Sequence, residues 1–398
     1  MLEKLLNGVV ILDLTRVLAG PYCGMIMSDL GAKVIKIERP VVGDDARAYG
    51  PYQNGESIYY AGLNRGKIGI TLNLKDEKGK EIFKDMVRKA NIVIENYRPG
   101  TMEKLGLGYD VLKEINPSII YGSVSGFGHT GPYSKRAGYD IIGQAAGGLM
   151  STTGWSFSPP TRTGTPMGDV LGGLNMAIGV LAALYRQKET GKGEKVDISL
   201  VDSVVSSMQN INMIYTTEGR IPQRIGNRYE STYPYDSFKA KDGDVIIGAG
   251  NDKLFKKLME VMGKADLISD ERFLSVSKRV ENHELLKEII EDWSEDKGVD
   301  EISKLLNDNG IPSTPINTID RIVVDEQIAV NRNMFPVQKH PVAGDIKLTN
   351  NAIKLTETDS NPDKPAPTLG QHNEYVYKEL LGYTDKKFKE LIDNKVIW

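Results

Sequence analysis

Sulfur and metal chemistry have little to work with in this sequence. Its one cysteine, Cys23, excludes an intramolecular disulfide and any thiolate metal cluster. The four histidines, His129, His283, His340 and His372, stand far apart and show no ligand spacing, so no bound metal is expected. Positive charge is not in excess either. The net charge of −3 removes the basic footprint of nucleic-acid binders and any general pull toward anionic membranes. The longest apolar stretch, near residues 176–185, is about half the roughly 20 residues of a membrane-spanning helix. The opening Met1-Leu2-Glu3-Lys4-Leu5-Leu6-Asn7 is too polar and too short for a signal peptide. The expectation is a cytoplasmic protein in which any site for an anionic ligand is local.

What is present is an ordinary globular composition, 40% hydrophobic and 26% charged, in a chain of 398 residues. Single cores stop growing near roughly 250–300 residues, so two domains are expected. Across the first two hundred residues, short apolar runs alternate with helical patterns, which predicts an α/β fold with a mainly parallel sheet. Residues 9–12, 34–37, 92–94 and 119–121 read as buried strands. Ile82, Phe83, Met86, Val87 and Ala90 share one helical face, with Asp76 placed to cap that helix. Leu171, Leu174, Ile178, Leu181 and Tyr185 form the stripe of another helix that stops before Gly191. Gly172, Gly173 and Gly179 on it predict close packing against neighbouring backbone. A further long helix is expected over 199–217.

Gly219-Arg220-Ile221-Pro222 breaks the pattern as a linker would. A smaller α+β region follows, with strands at 235–238 and 245–247 joined by Lys241-Asp242-Gly243-Asp244. The proline-rich stretch 361–367 can be neither helix nor central strand, and it leads to a final helical pair ending at Trp398.

Three features bear on chemistry. The first strand runs into Asp13-Leu14-Thr15-Arg16-Val17-Leu18-Ala19-Gly20-Pro21, the place of a nucleotide-binding loop, without the Gly-x-Gly-x-x-Gly fingerprint. This counts against a dinucleotide enzyme and leaves a plain strand–helix turn as the simplest reading. Arg39, Arg98, Lys104 and Arg136 lie near the ends of successive βα units. Each alone suits a solvated surface, whereas together they would converge on the sheet edge where phosphates bind. Asp169 opens a helix after Gly164-Thr165-Pro166-Met167-Gly168 and suits either an N-cap or an exposed reactive carboxylate.

The ordered series Leu18-Ala19-Gly20-Pro21-Tyr22, Leu30-Gly31-Ala32-Lys33-Val34-Ile35-Lys36-Ile37-Glu38-Arg39-Pro40, Glu95-Asn96-Tyr97-Arg98-Pro99-Gly100, Gly126-Phe127-Gly128-His129-Thr130-Gly131-Pro132-Tyr133, Gly138-Tyr139-Asp140 and Pro166-Met167-Gly168-Asp169 resembles the class III CoA transferases. Thr190-Gly191-Lys192-Gly193, Pro234-Tyr235-Asp236 and Asp242-Gly243 continue it. This is the family of formyl-CoA and carnitine CoA transferases, which also holds the α-methylacyl-CoA racemases.

The resemblance implies that Asp169 is the nucleophile. It also implies that Leu18, Ala19, Arg39, Asn96, Tyr97, Arg98, Lys104, Arg136 and Tyr139 lie in or near the CoA site. It implies a large Rossmann-like domain built from both chain ends (1–218 and 331–398), a smaller α+β domain (226–320) and linkers at 219–225 and 321–330. The resemblance further implies that two such chains interlock as a homodimer. Acyl-CoA and small carboxylic acids are the implied substrates, with no permanently bound cofactor. An exposed aspartate, with its pKa near roughly 4, needs no general base to attack a thioester. Backbone N–H groups at the helix start are candidate donors to the oxyanion.

Departures narrow the reading. Formyl-CoA transferases carry glutamine where this chain has Leu18, and their tetraglycine loop is missing, which points away from oxalate or formate. A larger 2-hydroxy or aryl acid, as in amino-acid fermentation, is expected instead. Gly248 and Gly250 suit either a covering loop or an ordinary turn. A racemase would need a histidine where Tyr139 stands, and a phenol of pKa about 10 is a poor base at neutral pH. His129 sits in a turn. A non-catalytic CoA-binding protein is the remaining alternative.

Overall fold

The computed structural model describes residues 4–358, 360–362 and 364–398. The signal-peptide reading of residues 1–3, and Asp363 of the proline-rich stretch, lie outside the described residues. Six strands form a parallel sheet: β1 (Val10–Asp13), β2 (Lys33–Glu38), β3 (Ile68–Thr71), β4 (Ile92–Glu95), β5 (Ile120–Ser125) and β6 (Lys195–Ser199). Their order is β3-β2-β1-β4-β5-β6, with every neighbouring pair parallel.

Alternate residues of each strand face opposite sides. Leu12, Ile35 and Val93 join one apolar cluster, while Ile11, Val34 and Ile94 join the other. Burial of both faces explains why these strands read as continuous apolar runs. The strand order reverses between β1 and β4, and a crevice opens beyond the carboxyl ends of those two strands, the usual ligand position in open α/β sheets.

The helices that matter most for this crevice are α1 (Ala19–Asp29), α2 (Glu77–Val87), α3 (Asp140–Ala146), α4 (Met167–Thr190), α5 (Leu200–Ser207) and α6 (Gln209–Glu218). The Asp76 carboxylate caps α2 by accepting the Lys78 N–H at 2.9 Å. α4 is 24 residues long, more than its apolar stripe suggested and long enough to cross a membrane. Its Met176, Val180 and Leu184 pack into the core beside the sheet. A Cβ on Gly173 would lie 2.5 Å from the Ala19 carbonyl oxygen, so glycine is what allows α4 to approach α1 at backbone distance. The single helix expected over 199–217 is two helices, because Met208 leaves helical geometry at φ −95° and ψ 37°.

The chain divides into two compact units. The larger comprises residues up to Leu149, Arg162–Arg220 and Glu326–Trp398, and the smaller comprises Met150–Thr161 and Ile221–Asp325. Residues 150–161, placed by sequence within the large 1–218 segment, thus belong to the smaller unit. The cause is long-range pairing: Gly226 N–H donates to the Gly154 carbonyl (2.9 Å) and Arg224 Nε to the Ser158 carbonyl (3.2 Å).

The smaller unit has its own antiparallel sheet of β7 (Tyr235–Ala240), β8 (Gly243–Gly248) and β9 (Ser313–Pro315). Its core holds Phe238, Phe255, Leu258, Leu286, Ile290 and Ile302. Gly248 ends β8, and both Gly248 and Gly250 make bonds within this unit. Gly248 N–H donates to the Pro312 carbonyl, Ala249 N–H to the Pro234 carbonyl, and Arg279 binds the Gly250 carbonyl.

Candidate active site

The chain leaves β1 through a tightly held loop. Asp13 Oδ1 accepts the Thr15 N–H, an Asx turn that needs only a short acidic side chain at the strand end. Asn96, just beyond β4, clamps the next residue from the other strand: its Oδ1 accepts the Arg16 N–H (2.8 Å) and its Nδ2 donates to the Arg16 carbonyl (2.7 Å). Val17 follows with φ +65°, a left-handed conformation that costs a β-branched residue on the order of 1–3 kcal/mol. Leu18 and Ala19, both buried, then start α1.

A cavity of about 250 Å³ sits at this switch point. Leu18 and Ala19 form one wall, Asn96, Tyr97 and Arg98 another, and Arg136 and Tyr139 line it beside Asp169. Eight of the ten expected site residues therefore meet in one place. Arg39 lines an adjoining cavity of about 450 Å³, which shares Arg16 and Tyr97 with the first and also takes in Lys75. Lys104, exposed at the end of a four-residue helix, lines neither. Arg39 is already engaged by Asp45 at 2.6 Å. The Arg136 guanidinium rests on the Tyr133 ring, 3.5 Å from its centroid.

Asp169 lies in the first turn of α4, yet it does not cap the helix. Asp140 does: its Oδ1 accepts the Gly168 N–H (2.8 Å) and the Asp169 N–H (3.3 Å), and its Oδ2 accepts from Gln144 (2.8 Å). Gln144 in turn holds the Thr163 N–H at 3.0 Å. Among the described residues, no protein group donates a hydrogen bond to the Asp169 carboxylate, which is left facing the cavity.

The same geometry corrects two sequence expectations. The amides of Gly168 and Asp169 are taken by Asp140, and those of Met167 and Val170 by the Thr165 and Pro166 carbonyls, so the helix start has no unused oxyanion donor. Nor is Asp169 an ordinary exposed carboxylate. Burial, and then the charge of Asp140, push its pKa up to about 7.

Sequence reading did not single out other residues at or near the cavity. Arg16, Asp45 and Tyr49 line the cavity. The Tyr59 phenol is pushed up to about 12 by burial and then by the Asp169 charge, which places it within electrostatic reach of Asp169. Glu95, buried at the end of β4, is raised to about 8 by burial and accepts the Tyr97 N–H at 2.6 Å. His129 does not line the cavity. Its ring stands between Lys195 (3.2 Å) and Glu95 (3.7 Å), and burial lowers its pKa.

Comparison with known proteins gives this arrangement a family. The sequence profile of CoA-transferase family III matches residues 6–373. The succinyl-CoA:glutarate CoA-transferase of Homo sapiens is 38% identical over 395 residues, covering 99% of this chain and 90% of the relative. The acetyl-CoA:oxalate CoA-transferase of Acetobacter aceti is 40% identical over 376 residues, covering 94% of this chain and 95% of the relative. Among solved structures, a CaiB/BaiF family protein from Brucella suis superposes with a TM-score of 0.85 at 37% identity, over 95% of this chain and 99% of that one. A near full-length profile match, these identities and a shared parallel-sheet fold make the chain a member of CoA-transferase family III, and its activity that of a CoA-transferase.

Proposed function

We propose that Asp169 is the nucleophile of CoA transfer between an acyl-CoA and a free carboxylic acid. The observation that carries this reading is a cavity-lining carboxylate to which no described protein group donates, on a helix start already capped by Asp140. Once ionised, Asp169 attacks the thioester carbonyl and expels CoA thiolate, leaving an acyl–aspartyl anhydride. The thiolate attacks the aspartyl carbon, releases the donor acid and forms an aspartyl-CoA thioester. The acceptor carboxylate attacks that thioester and expels the thiolate, and the thiolate then attacks the acceptor's acyl carbon and frees Asp169. Atoms and charge balance at each step without a general base. Buried Leu18 and Ala19 keep one side of the cavity dry, which protects an anhydride from water.

The adjoining cavity suits the nucleotide end of CoA, because Arg16, Arg39 and Lys75 surround an otherwise largely apolar space. Asn96, Tyr97 and Arg98 then guide the pantetheine arm, with Arg136 and Tyr139 beside Asp169, and Lys104, outside both cavities, would meet only a part of the ligand that extends beyond them. We assign the protein to an interlocked homodimer. On α4, Ile178 and Tyr185 are 64% and 69% exposed, an apolar surface suited to cover by a second copy.

The acceptor separates two expectations. Leu18 favours a 2-hydroxy or aryl acid, whereas two of the matched relatives are named for glutarate and oxalate. A panel of acceptors containing both kinds, assayed for new thioesters against a few acyl-CoA donors, decides between them. Asp169→Ala is expected to abolish transfer, and hydroxylamine added with acyl-CoA should derivatise Asp169 in the unaltered protein only. Full transfer by the alanine variant would falsify the assignment.

A further inference from the structure

Beneath the loop that carries Leu18 lies a charge pair with no access to solvent. Lys36 of β2 and Asp44 are 2.7 Å apart, with both side chains fully buried. Such pairs contribute little to stability by themselves, because desolvation offsets their attraction. Their placement is the informative feature.

Lys36 Nζ also donates to the Thr15 carbonyl, while Asp44 Oδ1 accepts the N–H groups of Val17 (3.0 Å) and Ala46 (2.9 Å). Between the Thr15 and Val17 tethers the backbone turns into the left-handed region at Val17, which a β-branched residue keeps only when its surroundings impose it. The next residue, Leu18, accepts the first helical bond of α1, from Tyr22 N–H at 2.8 Å, and lines the Asp169 cavity. Asp44 itself does not line that cavity.

We propose that Asp44, fixed by Lys36, is a positioning residue that holds Val17 in its left-handed turn and so sets Leu18 and Ala19 against the reacting thioester. This rests on the reading of the Asp169 cavity as the reaction site. Asp44 also caps the short turn Asp45–Ala48, which brings Asp45 to the cavity wall, so the test must separate the two routes.

Lys36→Met combined with Asp44→Leu removes both charges, leaves neither one unpaired, and takes away the oxygen that accepts the Val17 N–H while keeping the branched shape of the side chain. The change is made in the natural chain and in Val17→Gly, as a double-mutant cycle. Glycine takes a positive φ without a Cβ penalty, so it removes the need for the tether. With Val17 present, kcat/KM is expected to fall about 10- to 100-fold, mostly in kcat, as for a small misplacement of reacting groups. In the Val17→Gly background the fall is expected to be about threefold or less, with similar changes in melting temperature in both backgrounds.

Equal losses in the two backgrounds overturn the proposal, because Asp44 would then act through Asp45–Ala48 or through stability alone. A loss under about twofold with Val17 present also overturns it. Should the charge-free variant fold only with Val17→Gly, turnover near that of Val17→Gly alone supports the proposal and an inactive protein overturns it. Failure to fold in both backgrounds overturns it too, since the pair would then serve the fold and not the loop. Asp169→Ala runs in parallel: retained transfer there removes the site assignment, whereas a failed cycle with an inactive Asp169→Ala removes only the role of Asp44.

Discussion

Asp140 and Asp169 meet at one helix start and are held in opposite ways, the first by two backbone N–H groups and a glutamine, the second by none among the described residues. Their difference has a pH signature. Asp169 is raised to about 7 by burial and then by the Asp140 charge, and only its ionised form is a nucleophile. The reactive fraction therefore grows as pH rises through about 7, and kcat/KM should climb roughly tenfold per pH unit below that point and level off above it. Asp140→Asn keeps an oxygen for the Gly168 N–H but removes the like charge, so the rising limb should move to lower pH. Because burial is the larger cause, the move should stop short of an ordinary aspartate. A limb that stays in place would show that Asp140 acts on geometry alone. At this scale the motif residues Leu18, Asn96, Arg98 and Asp169 were legible because each lies in a distinctive local string. The cap by Asp140, 28 residues before Gly168, and the Lys36–Asp44 pair were not, because no local pattern names a partner that only the folded chain brings near.

Strands β1, β2, β4 and β5 were readable because burial on both faces leaves unbroken apolar runs. β3 was missed because Gly69 interrupts a four-residue strand, and β6 because Lys195, Val196, Asp197 and Ile198 alternate as an edge strand does. The glycines of α4 were legible as signs of close packing, but not their partners. Gly173 faces the Ala19 carbonyl, which cannot rotate aside, whereas a Cβ on Gly179 meets the end of the Val196 side chain. Gly173→Ala is therefore expected to destabilise the protein by about 1–3 kcal/mol through overpacking. It should also lower kcat/KM, because the helix it displaces begins with the cavity wall. Gly179→Ala should be milder in stability and near-neutral in turnover. Thermal melts and steady-state assays of the two variants check the ranking, and equal effects would mean that the α1–α4 approach is not the constraint.

At the scale of the whole chain, the family profile ends at residue 373, but the larger unit is not complete there. Trp398 N–H donates to Thr71 Oγ1 at 2.9 Å across 327 residues, the Tyr377 hydroxyl donates to the Thr71 carbonyl at 2.7 Å, and Asn73 N–H donates to the Val396 carbonyl. These bonds close the outer strand β3, which would otherwise offer unpaired groups to other chains. Sequence periodicity identified a final helical pair and could not show where it docks, since its partner strand lies three hundred residues away. Val376, Tyr377, Leu391, Val396 and Ile397 are all fully buried in that docking. Each is worth about 1.5–3 kcal/mol relative to exposure, so together they rival the roughly 5–15 kcal/mol that holds a typical domain folded. Deleting residues 374–398 should therefore cost the protein its cooperative melt and soluble yield, although the deleted segment supplies no residue to either cavity beside Asp169. A shortened chain that melts sharply and still transfers CoA would mean that the sheet is stable with its edge open, and that the tail only decorates it.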